Sequence, residues 1–328
     1  MPTVAWSPCR SVRSRLLAVV AVLAGTLILS SHARACEPAR GSLDAPAALI
    51  LSGGGSKGAW EAGAAVALVE GGVPVRVVAG SSAGALNAAM LVDGRLDRML
   101  ALWSSVRREQ VYALRPAVVL AGLLPGWLTL FALDSAGSLF DPAPLRELIT
   151  GAVDFERVRA SPRRLLVVTT DLAARAVRTF DNATVSVDAL MAAAAVPGAF
   201  PPVAVNGTLL VDGGLTGRAP VLEALAAEPT VGRAIVLLSY AADERGEPPT
   251  RLRRSLEQAF EMAMVHQIRR DVELARYKYP DLDVQLVAPS APLELRPLDF
   301  DAAGVAAALE RGGADARRCL DVWRTPRR

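Results

Sequence analysis

Short runs of consecutive apolar residues alternate along the chain with longer stretches in which Ala, Val and Leu recur at helical spacing. Ala47-Ala48-Leu49-Ile50-Leu51-Ser52 reads as a strand, because an unbroken apolar run ending in glycines suits a strand covered on both faces. Ala59 to Glu70 then reads as a helix. Val77-Val78-Ala79 is a second strand, and it leads through Gly80-Ser81-Ser82-Ala83-Gly84 into good helix formers. Leu165 to Thr170, Leu209 to Val211 and Ala234 to Ser239 are further strands, with Leu145 to Ile149 helical. Leu252, Leu256, Ala259, Phe260 and Ala263 mark a long amphipathic helix from Arg251 to Tyr279. This alternation predicts an α/β fold with a largely parallel central sheet flanked by helices.

One region departs from the alternation. Leu96, Met99, Leu100 and Trp103 mark one face of a helix, and Pro116 to Leu133, with Trp127 and Phe131, is almost wholly apolar. Gly122 and Pro125-Gly126 interrupt that run, which argues against a membrane span. Two readings stay open for this helical insertion, about 95–140: a lid or lipid-contacting pair of helices, or ordinary core helices.

The strand ends carry the candidate chemistry. In Gly80-Ser81-Ser82-Ala83-Gly84 the central serine is Ser82, and glycines on either side let strand and helix approach closely around a tight, exposed turn. The amides and dipole of the following helix favour negative charge beside the serine oxygen. Gly53-Gly54-Gly55-Ser56-Lys57-Gly58 admits three uses. A phosphate loop needs Lys directly after its last glycine, and here Lys57 precedes Gly58. A dinucleotide fingerprint is met by Gly53, Gly55 and Gly58, but the second strand ends in Gly80-Ser81-Ser82 rather than in an acid for the ribose. An oxyanion hole, with bare backbone amides of Gly53, Gly54 and Gly55 aimed at a tetrahedral intermediate, accounts for both loops together. Asp212-Gly213-Gly214, at the end of the strand Leu209 to Val211, supplies a carboxylate that can turn sharply toward another loop.

These three motifs, in this order and each at a strand end, resemble the patatin-like phospholipase family. Ala192-Ala193-Ala194-Ala195-Val196-Pro197-Gly198-Ala199-Phe200-Pro201-Pro202-Val203 resembles the segment that precedes the family's aspartate strand, so the likeness runs from about Ala47 to Pro220. It implies a patatin-like three-layer fold and a serine lipid acyl hydrolase with a Ser-Asp dyad, Ser82 attacking the ester and Asp212 accepting its proton. Phospholipid or another lipid ester is the implied substrate, met at a membrane surface, and no cofactor is implied. Gly58, Gly80, Gly84, Gly213 and Gly214 belong to the motifs as supports. Alanines fill positions where relatives often carry Ser or Cys, and Arg218 stands before Ala219-Pro220 where relatives often carry Asn. A free Asp, with a pKa of about 3.9, is a poor base near neutrality, so Asp212 needs desolvation or electrostatic help.

Other readings compete. Asp171, at the end of the strand Leu165 to Thr170, is a rival acid without following glycines. Ser82, Asp212 and His266 follow the chain order of an α/β-hydrolase triad, although a triad histidine normally lies on a loop and His266 falls mid-helix. A catalytically silent binding or scaffold protein of the same fold, or a dinucleotide-binding protein built on Gly53, Gly55 and Gly58, comes from other classes. No His-Glu-x-x-His or Cys-x-x-Cys pattern points to zinc.

The N-terminal 35 residues read as an export signal: Arg10, Arg13 and Arg15, an apolar run from Leu16 to Ser30, and Ala33-Arg34-Ala35 as cleavage site. A short linker, 36–46, then precedes a hydrolase domain over 47–328, whose C-terminal part, about 251–328, reads as helical. Removal of the signal takes four arginines with it, so the formal charge falls from +3 to −1 and the basic balance says little about partners. No block of basic residues with interleaved aromatics suggests nucleic acid. Cys9 leaves with the signal. Cys36 is then placed either for lipidation, in a membrane-anchored lipoprotein, or for a disulfide with Cys319 in a periplasmic or secreted protein.

Overall fold

The computed structural model describes residues 36–325 apart from 123, 126–127, 130–133, 136, 242–243 and 245–247. The expected export signal, and Trp127 and Phe131 of the insertion, lie outside the described residues. Eight strands form one sheet: β1 (Ala47–Leu51), β2 (Val75–Gly80), β3 (Arg164–Asp171), β4 (Ala176–Phe180), β5 (Val203–Val205), β6 (Thr208–Asp212), β7 (Arg233–Leu237) and β8 (Asp283–Val287). The order is β8-β7-β1-β2-β3-β6-β5, with β4 also on β3. From β8 to β3 all neighbours are parallel, while β6 and β4 pair antiparallel with β3 and β5 pairs antiparallel with β6.

β1 is buried along its whole length because both faces of the sheet are covered. Ala47, Leu49 and Leu51 point into one apolar layer, and Ala48 and Ile50 into the other, as strand alternation requires. The first layer contains α1 (Gly58–Glu70), α2 (Ala83–Asp93) and α3 (Leu96–Ser105). Beyond α4 (Pro116–Ala121) come α5 (Ala143–Ala152), α6 (Phe155–Ala160) and α7 (Val187–Ala193), then α8 (Val221–Ala227), α9 (Leu252–Lys278) and α10 (Ala302–Arg324). Helices α8 and α9 cover the opposite face.

Helix α1 is buried almost all round, since α10 packs over it. A Cβ at Gly63 would sit 2.0 Å from the Leu309 carbonyl oxygen, and one at Gly312 would sit 2.0 Å from that of Trp60, so the two backbones touch where glycine permits it. The Trp60 indole donates to Asp315 at 2.9 Å. A disulfide joins Cys36 to Cys319 of α10, with Cα atoms 5.6 Å apart.

In the insertion, Met99 and Trp103 of α3 are buried and Leu96 and Leu100 pack against the core, so this helix is a core element. Leu114, Val119, Leu120 and Leu124, on and around α4, are exposed. Among the described residues no helix is long and apolar enough to cross a membrane. The strand β8 has no counterpart in the sequence reading, which gave the C-terminal part as helical.

Candidate active site

The site is assembled on β3. Along one edge of this strand β2 runs to Gly80, opposite Val167, and β6 then takes over and ends at Asp212, opposite Thr169. The other edge is filled by β4, which pairs with Val167 and Thr169 in turn. Two strands from distant parts of the chain therefore end two residues apart on the same edge. Ser82 follows one end and Asp212 closes the other.

Ser82 sits at the turn into α2 with φ +54° and ψ −136°, a conformation that non-glycine residues seldom adopt. Glycines make the turn possible. A Cβ at Gly80 would lie 2.3 Å from the Gly84 carbonyl oxygen, and one at Gly84 2.4 Å from that of Leu51. The end of α7 and the residues just after it fix the serine and the aspartate relative to each other: the carbonyl of Ala193 accepts the Ser82 amide, and that of Ala195 accepts the Asp212 amide, each at 3.0 Å. Ser186 begins α7 by capping it through the amide of Ala189.

Asp212 is 1% exposed and Ser82 7%. One carboxylate oxygen of Asp212 accepts the Gly214 amide at 2.7 Å; the other, Oδ2, is buried without a hydrogen-bond partner among the described residues. Burial pushes the Asp212 carboxyl above the usual carboxylate range, against the Arg218 charge, the Gly214 amide and the nearby Ser82 hydroxyl, which all favour the anion. The environment thus makes Asp212 a stronger base than a free carboxylate, and Oδ2 is left with capacity for a proton.

Gly53, Gly54 and Gly55 all have positive φ, +74°, +130° and +60°. Their amides differ in availability. That of Gly53 donates to both carboxylate oxygens of Glu61, at 2.9 and 3.0 Å, so it faces inward and not toward Ser82. The amides of Gly54 and Gly55 have no acceptor among the described residues, and both residues line the same cavity as Ser82. Gly58 packs beneath the elbow, its Cβ position 3.1 Å from Ala83, and Gly213 lies against the carbonyl of Val168.

Glu61 went unread in the sequence. It is fully buried, accepts the Ser52 hydroxyl at 2.8 Å in addition to the Gly53 amide, and burial pushes its carboxyl up to about 8 despite those bonds. The available signal was a single charge in the first turn of a helix that is otherwise apolar up to its last residue, Glu70. Lys57 is also buried, its ammonium 3.1 Å from Glu244 and 3.9 Å from the centre of the Tyr240 ring.

The cavity over Ser82 holds about 460 Å³, within the range of small-molecule sites. Leu86, Leu145, Leu148, Ile149, Leu190 and Phe200 give it an apolar wall. Phe200 stacks into a cluster with Tyr112 and Phe140, and Tyr112 also meets Phe300. Two sequence candidates lie elsewhere. Asp171 accepts the Ala174 amide in the turn between β3 and β4, and His266 is exposed on α9 and does not line the cavity.

The model of the patatin-like phospholipases matches residues 49–225, more than half of the chain. The chain belongs to the patatin-like phospholipase family. The matched stretch of this patatin-like protein starts within β1 and ends within α8, and so contains Gly53 to Gly58, Ser82 and Asp212. Uncharacterised NTE-family proteins of Mycobacterium bovis and Mycobacterium tuberculosis are 32% identical to it over 184 residues, which cover 56% of this chain and 46% of theirs. The chain spans about half the length of these curated relatives. Among solved structures, VipD from Legionella pneumophila aligns with a TM-score of 0.46 at 17% identity, covering 85% of this chain and 67% of that one. ExoU from Pseudomonas aeruginosa, in complex with SpcU, aligns at 0.34 and 17%, covering 85% and 53%.

Proposed function

We propose that this patatin-like protein is an exported serine lipid acyl hydrolase of phospholipase A or lysophospholipase type. The observation that carries the reading is the approach of Ser82, on its strained elbow at the floor of an apolar cavity, to the buried carboxylate of Asp212, whose Oδ2 has no partner among the described residues. Ser82 Oγ attacks the ester carbonyl as its proton passes to Asp212, and the free amides of Gly54 and Gly55 receive the oxyanion. Gly53 gives its amide to Glu61 and acts as scaffold. Asp212 returns the proton to the leaving alcohol, and water then repeats the sequence on the acyl-enzyme.

The apolar wall suits an acyl chain, and the exposed Leu114, Val119, Leu120 and Leu124 suit contact with a lipid surface. The Cys36–Cys319 disulfide supports delivery to an oxidising compartment and leaves the Cys36 thiol unavailable for lipidation. The exposed position of His266 speaks for a dyad over a triad.

Labelling with a fluorophosphonate probe, located by peptide mass, tests the assignment. Ser82 takes the label in the wild type, Ser82→Ala and Asp212→Asn lose it, and His266→Gln keeps it. Loss of label in a folded His266→Gln variant would instead favour a triad, and a folded wild type that never labels would favour a silent binding protein.

A further inference from the structure

Among the described charged residues that line the cavity, Arg218 alone is buried, at 2% exposure; Arg108, Arg296 and Asp299 are exposed, and Glu257 and Glu261 half-buried. Its main chain is tied to the elbow, since its carbonyl accepts the Ser81 hydroxyl at 2.7 Å. Its guanidinium lies between the glycine loop and the aspartate loop. Nη2 is 3.8 Å from the Cβ position of Gly54, and Nη1 is 2.8 Å from that of Gly214.

This guanidinium makes no salt bridge or hydrogen bond with any described residue, and its Nε is buried without a partner. Among the described residues the titratable groups that face it are Asp212, Glu61 and Tyr240, from three different segments, none close enough to form an ion pair. A buried cation with its donors unused is costly even with an anion in its field, and an anion that accepts hydrogen bonds from those donors offsets the cost. The anion that the reaction itself creates forms beside Gly54, within reach of Nη2.

We propose that the Arg218 guanidinium is the charged member of the oxyanion site, donating to the tetrahedral oxygen alongside the amides of Gly54 and Gly55. The inference rests on the Ser82–Asp212 reading. As the Oγ–carbon bond forms, the Ser82 O–H bond breaks, its proton goes to Asp212 Oδ2, and the carbonyl π pair moves onto oxygen. One negative charge leaves Asp212 and one appears on the oxyanion. Both positions face Arg218, so the charge crosses the site without leaving the field of its counter-ion. When the intermediate collapses, the oxygen pair re-forms the carbonyl, the leaving alkoxide takes the proton from Asp212, and the charge returns.

The test compares wild type, Ser82→Ala, Arg218→Gln and Arg218→Lys on a neutral p-nitrophenyl ester and on an anionic phospholipid. An alkyl boronic acid, which forms a tetrahedral anion on a reactive serine, serves as binding probe. Arg218→Gln should lower kcat about 100-fold on both substrates with little change in KM. It should weaken boronate binding similarly, with Arg218→Lys intermediate in each. Loss confined to the phospholipid, through KM, would make the guanidinium a head-group contact and overturn the proposal. Full dependence on Ser82 with wild-type rates in Arg218→Gln would overturn it alone, whereas wild-type turnover by Ser82→Ala would overturn the dyad reading as well. Thermal unfolding of each variant guards against misfolding, and if Arg218→Gln does not fold, a wild-type kcat and boronate affinity in Arg218→Lys overturns the proposal.

Discussion

Both carboxylate oxygens of Glu61 hold the amide of Gly53, and a carboxyl shifted to about 8 thereby sets the position of the glycine loop. The ordinary value is 4.5, so folding takes up a proton between pH 4.5 and about 8. The stability contributed by this protonation is fully present below pH 4.5, declines as pH rises, and is lost above the folded-state value. Unfolding midpoints of the wild type should therefore fall across that window relative to Glu61→Gln, which has nothing to titrate there. Parallel curves for the two proteins would mean that Glu61 is ionised throughout. The amide side chain keeps only one acceptor, so the variant should also lose about tenfold in kcat as the loop loosens.

Gly55 is closed to any side chain. With φ +60° and a Cβ position 1.8 Å from the carbonyl oxygen of Pro297, which also accepts the Ser56 amide, Gly55→Ala must displace the 297 loop. The expected loss is about 2 kcal/mol or more in urea unfolding. Gly72→Ala is the control for backbone strain alone, because φ there is +86° but nothing lies within 4 Å. It should cost about 1 kcal/mol and leave activity intact. Equal losses at the two positions would remove the steric argument.

The length of the accepted acyl chain should be set by the wall made by α5 and α7. Leu148 lines the cavity and is only half-buried, so a larger side chain fits there without breaking the core. Leu148→Trp should move the preference of kcat/KM toward shorter esters across a p-nitrophenyl series, with the shortest unaffected. A uniform drop along the series would place the acyl chain elsewhere.

Cys319→Ser should lower stability by about 2–5 kcal/mol, and a reducing agent should lower the wild type to the same level while leaving the variant unchanged. The reading is a pair of melts with and without dithiothreitol. A wild type that ignores the reductant would show that the bond contributes nothing.

The parts of the fold legible in the sequence were those whose burial is apolar. β1, β2 and β3 declared themselves as apolar runs, and the three glycine motifs lay at strand ends because a backbone that turns or touches another there cannot carry a side chain. β8 hid for the opposite reason. Asp283 and Gln285 interrupt its apolar run, yet both are buried, and Asp283 lies 3.1 Å from the buried Arg233 of β7. Glu61 escaped because its partners, Ser52 and Gly53, lie on the preceding strand end and loop, and helical periodicity does not record a carboxyl that turns back to them. The meeting of Ser82 with Asp212 was implied by resemblance alone, since pairing two strand ends on one edge of β3 is a long-range event.

That shared edge separates two jobs within the molecule. The spacing of serine and aspartate is a count of residues along β3, and a slip of one would turn a side chain to the opposite face. Much of the apolar wall of the cavity comes instead from α3 and α5, which take no part in that edge. The geometry of serine and aspartate is thus written in the hydrogen-bond register of a sheet and the shape of the cavity in the packing of helices, so those helical walls are free to diverge while the pairing of the two residues is handed on unaltered.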